Sequence, residues 1–281
     1  MSSPGTLFVV ATPIGNLGDV SARTASTLAE ADVVVAEDTR RARQLLSHLG
    51  ITGKRVERLD AHAGAGEVAR VAARVVAGER VALVTDAGTP AVSDPGQAAV
   101  RAVVDAGARV VPIPGPSAVL AALVASGLGG DGGFRFVGFL PRKGPPRRAA
   151  LATICATPET TILFESPQRL RETLSELADA MPDREACVAR ELTKMHEELV
   201  RGTCRSLAGD DREWIGEIAL VLGSWNPDAR AEQVDDARLD ARIDEGLARG
   251  DHARTLAEKL AAWSGRPKRE VYERVITRKP R

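Results

Sequence analysis

Short runs of apolar, β-branched residues alternate along the first half of the chain with stretches whose apolar positions recur every three or four residues. Leu7 to Ala11, Val33 to Ala36, Val81 to Thr85 and Arg109 to Ile113 have strand length. Ala22 to Ala31, Arg40 to Leu49, Val68 to Ala77 and a segment from Asp94-Pro95 to about Gly107 carry helical spacing. Asp94 is placed to cap the last of these and Pro95 to fill its first position. Continuous apolar strands separated by helices predict a mostly parallel sheet covered on both faces.

The second half is more varied. Gly115-Pro116-Ser117 opens a helix through about Ser126, and a glycine-rich loop covers 127–133. Phe134 to Leu140 and Thr160 to Phe164 read as strands, and Arg169 to Ala180 as a helix. Between the two strands, Pro141 to Arg148 reads as a basic, proline-rich linker that leads into a helix. Ala186 to Ala189, Glu198 to Arg201 and Glu217 to Leu222 complete the strands. Beyond Asn226 only helical patterns remain: Leu239 to Leu247, Ala253 to Trp263 and Lys268 to Ile276, an arrangement like a helix-turn-helix. The fold class is α/β. Residues 1–114 and 115–226 are expected as two α/β domains, and 227–281 as a helical appendix. A length of 281 residues agrees with about two domains.

Composition narrows the function classes. Hydrophobic residues make up 44% and charged residues 27%, ordinary for a globular chain. No apolar run is long enough to span a bilayer, so no membrane partner is expected. The first residues carry neither a basic stretch nor an apolar core, so no signal peptide is expected. Cys155, Cys187 and Cys204 are odd in number and widely spaced, which suggests reduced thiols and a cytoplasmic protein. His48, His62, His196 and His252 are scattered, and no metal site is expected. Basic and acidic residues balance at 38 each, so net charge announces no nucleic acid. Local charge does differ. Arg142, Lys143, Arg147 and Arg148 form a run without an acid, and residues 263–281 hold seven Lys or Arg against two Glu. Each is either a solvated segment or a phosphate contact, the latter salt-dependent. Aromatics are only 3%, little material for stacking on bases.

Candidate chemistry sits in the loops that follow strands, where ligands bind in open α/β sheets. Four such loops are rich in Gly, Pro or charge: 12–16, Glu37-Asp38-Thr39-Arg40, 86–96 and 112–118. The Rossmann and Walker glycine fingerprints are absent, which argues against a nucleotide-binding oxidoreductase. Glu165-Ser166-Pro167-Gln168-Arg169 repeats the pattern after the strand at 160–164. The stretch from Arg190 to Glu198 is the densest in ionisable groups, with cations for phosphate and carboxylates to orient or deprotonate a hydroxyl.

Eight segments occur in a telling order: 10–19, 36–40, 86–90, 93–96, 114–118, Gly138-Phe139-Leu140-Pro141, Phe164-Glu165-Ser166-Pro167 and Arg190-Glu191-Leu192-Thr193-Lys194. Together they resemble the bacterial ribosomal-RNA branch of the tetrapyrrole-methylase (class III) superfamily, over about residues 5 to 225. Gln168 stands where that branch is expected to carry His. The resemblance implies two α/β domains with a cofactor cleft between them. It implies S-adenosyl-L-methionine (SAM) as methyl donor and a cytidine 2′-hydroxyl in the decoding region of 16S rRNA, within the 30S subunit, as acceptor. It also implies a homodimer. Thr89, Val92, Ser117 and Ala118 are then expected at the cofactor, along with Asp86, Gly88 and Ile14 and the backbone near Leu163, Leu192 and Ala219. Glu191, Lys194, Glu37 and Arg40 are the candidates for handling the ribose proton, and Arg142, Lys143, Arg147 and Arg148 for RNA binding. Competing readings are a tetrapyrrole or protein acceptor on the same fold, or a ribosome-binding relative without catalysis.

Overall fold

A computed structural model describes residues 5–60, 63–93, 96–130, 132–226 and 236–278. The chain divides into two compact units, one of residues 1–125 with 189–198, the other of 126–188 with 199–281. The expected boundary at 114/115 falls before the helix at Ala118–Ser126 instead of after it. Contacts that tie the start of this helix to the first unit account for the difference and are described below.

In the first unit, β1 (Thr6–Val10), β2 (Val33–Ala36), β3 (Arg55–Arg58), β4 (Arg80–Val84) and β5 (Arg109–Ile113) form one sheet in the order β3-β2-β4-β1-β5. β1 pairs in parallel with β4 and β5, and β2 with β3 and β4, with Leu7 opposite both Val81 and Val110. Helices α1 (Ala22–Glu30) and α2 (Thr39–His48) supply Leu28, Leu45 and Leu46 to the core on one face. Helices α3 (Ala65–Val76) and α4 (Gln97–Asp105) supply Val71, Val75, Ala99 and Val103 to the other. Burial on both sides is why β2 and β4 read as unbroken apolar runs. Strand β3, Arg-Val-Glu-Arg at the sheet edge, has no such signature and was not expected. The predicted Asp94-Pro95 helix start lies outside the described residues; α4 is capped by Gly96 at a φ of 119°. Helix α5 (Ala118–Ser126) ends the first long segment.

The second unit carries a mixed sheet of β6 (Phe134–Phe139), β7 (Thr160–Glu165), β8 (Glu185–Arg190), β9 (Glu198–Thr203) and β10 (Ile218–Leu222), in the order β6-β7-β10-β8-β9. β6 runs parallel and β10 antiparallel to β7. Its core gathers Leu163, Leu170, Leu174, Leu177, Val188 and Leu220 beneath α6 (Gly144–Ala156), α7 (Pro167–Ala180) and α8 (Cys204–Ala208). Helix α6 begins inside the expected linker, with Pro145 and Pro146 in its first turn, where a missing N–H costs nothing. All three cysteines are free, and burial pushes the Cys204 thiol up to about 12. Helices α9 (Asp236–Ala248), α10 (Ala253–Ser264) and α11 (Lys268–Arg278) enclose their own core of Leu239, Ile243, Leu256, Leu260, Val271 and Val275. No described helix is long and apolar enough to cross a membrane.

Candidate functional site

The strand order places β1 beside β4 and β5, so the loops after these three strands emerge together at the carboxyl edge of the first sheet. Here a chain reversal opens the crevice in which α/β sheets bind ligands. The loops are stitched to one another. Thr12 and Gly88 exchange backbone hydrogen bonds of 2.8 and 3.0 Å, and the Thr12 hydroxyl donates to the Thr85 carbonyl at 3.1 Å. The Thr89 hydroxyl donates to the Pro116 carbonyl at 3.2 Å. A Cβ on Gly115 would lie 2.9 Å from the Ala11 Cβ, so only Gly lets these backbones touch. These contacts hold the start of α5 on the first unit.

Ile14, Asp86, Gly88, Thr89, Val92, Ser117 and Ala118, the residues expected at a cofactor, lie in these joined loops or at the helix start that follows them. Ile14 is buried, and its Cγ2 lies 3.4 Å from where a Cβ on Gly88 would stand. Val92 is exposed, between Ala91 and Ser93 at φ of 67° and 62°. Two left-handed non-glycine residues in one loop store strain of the kind found at ligand clamps. Ser117 accepts the Ala121 amide at 2.9 Å, and the first amides of α5 have no carbonyl within their own helix to bond.

A cavity of about 490 Å³ lies beside these loops, lined by Glu37, Asp38, Thr39, Arg40, Arg58, Asp60 and Asp86. Asp38 caps α2, accepting the Arg40 amide at 2.7 Å, while its other oxygen takes the exposed Arg40 guanidinium at 2.7 Å. The Arg40 hydrogen bonds hold the Asp38 carboxyl well below the usual range. Asp86 accepts the Asp38 amide at 3.0 Å and faces Arg41 at 3.5 Å. Glu37 differs from its neighbours. It accepts a hydrogen bond from the Thr85 hydroxyl at 3.3 Å, and burial followed by the nearby Asp86 charge raises its pKa.

The segment 190–198 closes another side of the first unit. Glu191 and Thr193 sit at φ of 51° and 66°, and the Thr193 amide donates to the Glu197 carboxylate at 2.6 Å. Lys194 and Glu191 pair at 2.9 Å, and Arg190 pairs with Glu198 at 2.7 Å. A Cβ on Gly15 would stand 2.5 Å from Lys194 Cγ and 3.1 Å from the Leu192 carbonyl oxygen. Leu192, Thr193 and Lys194 thus press against the loop after β1, and Glu191 is tied to it through Lys194. The Thr193 hydroxyl oxygen and one Arg190 guanidinium nitrogen are buried without a hydrogen-bond partner.

Leu163 and Ala219 lie in the second unit, on the paired strands β7 and β10, with Leu163 in its core. The basic run does not form one surface. Arg142, Lys143 and Arg148 are exposed. Arg147 is buried, donating to Glu176 at 2.5 Å and to the Thr173 hydroxyl at 2.9 Å, which corrects its assignment to RNA. The basic C-terminus is likewise committed within its own bundle. Arg266 pairs with Asp236 and Glu270, Arg274 with Asp236 and Asp240, and Arg278 with Asp240 and Asp244. Lys268 pairs with Glu258 and Arg269 with Glu273. Lys279 and Arg281 lie outside the described residues.

Sequence reasoning missed Asp60 and Arg58 because β3 carries no apolar run. It placed Thr12 and Thr193 inside candidate segments without giving them a role, and passed over Thr85, because isolated threonines give no signal. Strand ends followed by Thr were the one available hint.

Residues 6–208 match the family of tetrapyrrole (corrin/porphyrin) methylases. A ribosomal RNA small subunit methyltransferase I from Xylella fastidiosa is 43% identical over 97% of this chain and 99% of its own length. The protein so named from Synechocystis sp. is 41% identical over 96% of both chains. Among solved structures, a uroporphyrin-III C-methyltransferase from Thermus thermophilus complexed with S-adenyl homocysteine superposes with a TM-score of 0.54. It is 20% identical and covers 78% of this chain and 97% of its own.

Proposed function

The chain belongs to the tetrapyrrole (corrin/porphyrin) methylase family, and on that premise we propose that it transfers the methyl group of SAM to a cytidine 2′-hydroxyl of 16S rRNA. The observation that carries this reading is the near full-length identity, above 40%, to small-subunit rRNA methyltransferases. The substrate RNA is taken in the context of the 30S subunit, in the cytoplasm, and the enzyme works as a homodimer.

The residues present fit SAM. Ile14 and Val92 offer apolar contact, Gly88 leaves room above Ile14, and the first turn of α5 at Ser117 and Ala118 offers amides to a carboxylate. The orphaned Thr193 hydroxyl beside Gly15 is a further donor in want of a partner. When bound, SAM supplies an electrophilic methyl on a sulfonium, so alignment of the acceptor is a large share of the catalysis.

Glu37 is the best-placed base among the four candidates. Glu191 is compensated by Lys194, and Arg40 is held by Asp38. Glu37 has no ion pair among the described residues, and burial with Asp86 nearby makes its carboxylate more basic than an ordinary one. It takes the ribose proton, while the Glu191–Lys194 pair braces the loop after β1. Arg142, Lys143 and Arg148 bind phosphates.

The test is incubation with methyl-labelled SAM and 30S subunits that lack the modification, followed by digestion of the RNA. Label in 2′-O-methylcytidine is the expected result. Bound SAM with no label in RNA overturns the acceptor.

A further inference from the structure

Strand β6 ends in an irregularity that turns an aromatic ring outward. Phe136 pairs with Ile162 and Phe139 with Phe164, so β6 spends three residues where β7 spends two. The extra residue is accommodated at Gly138, whose φ of 67° lies in the left-handed region. Such bulges re-aim a side chain. In a regular strand Phe136 and Phe139 would point to opposite faces. Here both rings meet Phe164, at centroid distances of 4.9 and 5.5 Å. Phe164 fixes the Phe139 ring, yet 61% of Phe139 remains exposed.

Two residues beyond this ring the basic strap begins, and it is held by its backbone. Arg169 donates to the Leu140 carbonyl at 2.8 Å and Arg147 to the Pro141 carbonyl at 3.4 Å. Both guanidiniums are organised by Glu165, whose carboxylate has no exposed surface. It accepts from Arg169, the Thr173 hydroxyl and the Ser166 amide, each at 2.8 Å, with Arg147 at 3.9 Å. The buried charges are thus spent on fixing the strap. Its own Arg142 and Lys143, and Arg148 on α6, stay exposed and without a carboxylate partner among the described residues.

An exposed, braced aromatic face beside unpaired cations suits single-stranded RNA, whose bases stack on aromatic rings while phosphates meet Arg and Lys. We infer that Phe139 is a stacking residue for one unpaired base of the substrate RNA. The strap cations hold the adjoining phosphates, and Glu165 acts as a positioning residue for the strap. This rests on the RNA reading above. A ring already fixed by Phe164 loses little freedom when a base stacks on it.

The experiment compares the full-length chain with Phe139→Ala, Phe139→Leu and Phe139→Trp on unmethylated 30S subunits, with SAM affinity measured alongside. Phe139→Ala is expected to raise KM for the subunit by about 5- to 150-fold, the range for one stacked base, with SAM affinity unchanged. Phe139→Trp is expected to keep wild-type KM, and Phe139→Leu to resemble Phe139→Ala, because Leu keeps apolar area without a π face. A KM within twofold of wild type for Phe139→Ala overturns the inference. Full rescue by Leu overturns it in favour of an apolar protein contact. A change in sedimentation of Phe139→Ala overturns it in favour of a second copy of the chain. Failure of the wild-type chain to methylate RNA overturns the RNA reading itself, a result distinct from all of these.

Discussion

At Gly15 the meaning of a single hydrogen atom is set by three neighbours. A methyl group there meets Lys194 Cγ at 2.5 Å, the Thr193 hydroxyl at 2.9 Å and the Leu192 carbonyl at 3.1 Å. Gly15→Ala must push the loop after β1 away from the 190s segment while leaving both cores untouched. Methyl transfer is expected to fall by about 10- to 100-fold, as small misplacements of reacting groups do, with an unchanged circular dichroism spectrum and melting temperature. Glu37 gives a pH test. Its pKa is raised in the fold, so protonation favours the folded state, and that favour is lost as pH rises through the folded value. Glu37→Gln is therefore expected to melt at the same or a higher temperature than wild type at pH 7, with the gap closing near the ordinary glutamate value of about 4.3. The same substitution removes the acid limb from the kcat/KM profile and lowers activity throughout, as stopped-time methylation assays across pH will read. The loop residues were legible because Gly, Pro and Thr punctuate strand ends. The basicity of Glu37 was not, because it comes from burial and then from Asp86, 49 positions away in sequence and adjacent only through the β2–β4 pairing.

Among elements, α6 and α7 show how burial sorts side chains that the sequence presents as alike. Arg147 and Arg148 are neighbours in a basic run, yet the turn of α6 sends one into the second unit and the other to solvent. Arg147→Ala leaves Glu176 and the buried Glu165 short of a cation, and losing one partner of a buried pair costs about 3–5 kcal/mol. Urea denaturation is expected to show a loss of that order for Arg147→Ala and less than about 0.5 kcal/mol for Arg148→Ala, as for exposed sites generally. RNA affinity is expected to follow the reverse order, provided the Arg147 variant is assayed where it is folded. A sequence shows the charge of such a run but not its phase on the helix, because α6 starts at Gly144, with two prolines in its first turn, instead of after the run. The bulge at Gly138 was illegible for a related reason. One extra residue changes which face a ring occupies without changing the apolar pattern that identifies β6.

For the whole molecule, charge balance hides a division of labour. The described cations of residues 266–278 are matched by Asp236, Asp240, Asp244, Glu258, Glu270 and Glu273, whereas Arg142, Lys143 and Arg148 have no carboxylate partner among the described residues. Counterion release follows the cations that reach phosphate, at a slope of about −0.7 per contact for single strands. Three strap cations predict a slope of log affinity against log salt of about −2 for 30S binding. A tail acting as a clamp would add its own cations and steepen the slope well beyond that. Arg142→Ala with Lys143→Ala is expected to bring the slope to about −0.7, leaving the melting temperature unchanged. Lys268→Ala with Arg269→Ala is expected to leave the slope where it is, since those side chains already face Glu258 and Glu273. Filter binding between 50 and 200 mM salt reads all three. A wild-type slope near −6, flattened by the tail substitutions and not by the strap substitutions, would move the RNA contact from β6 and α6 to α11.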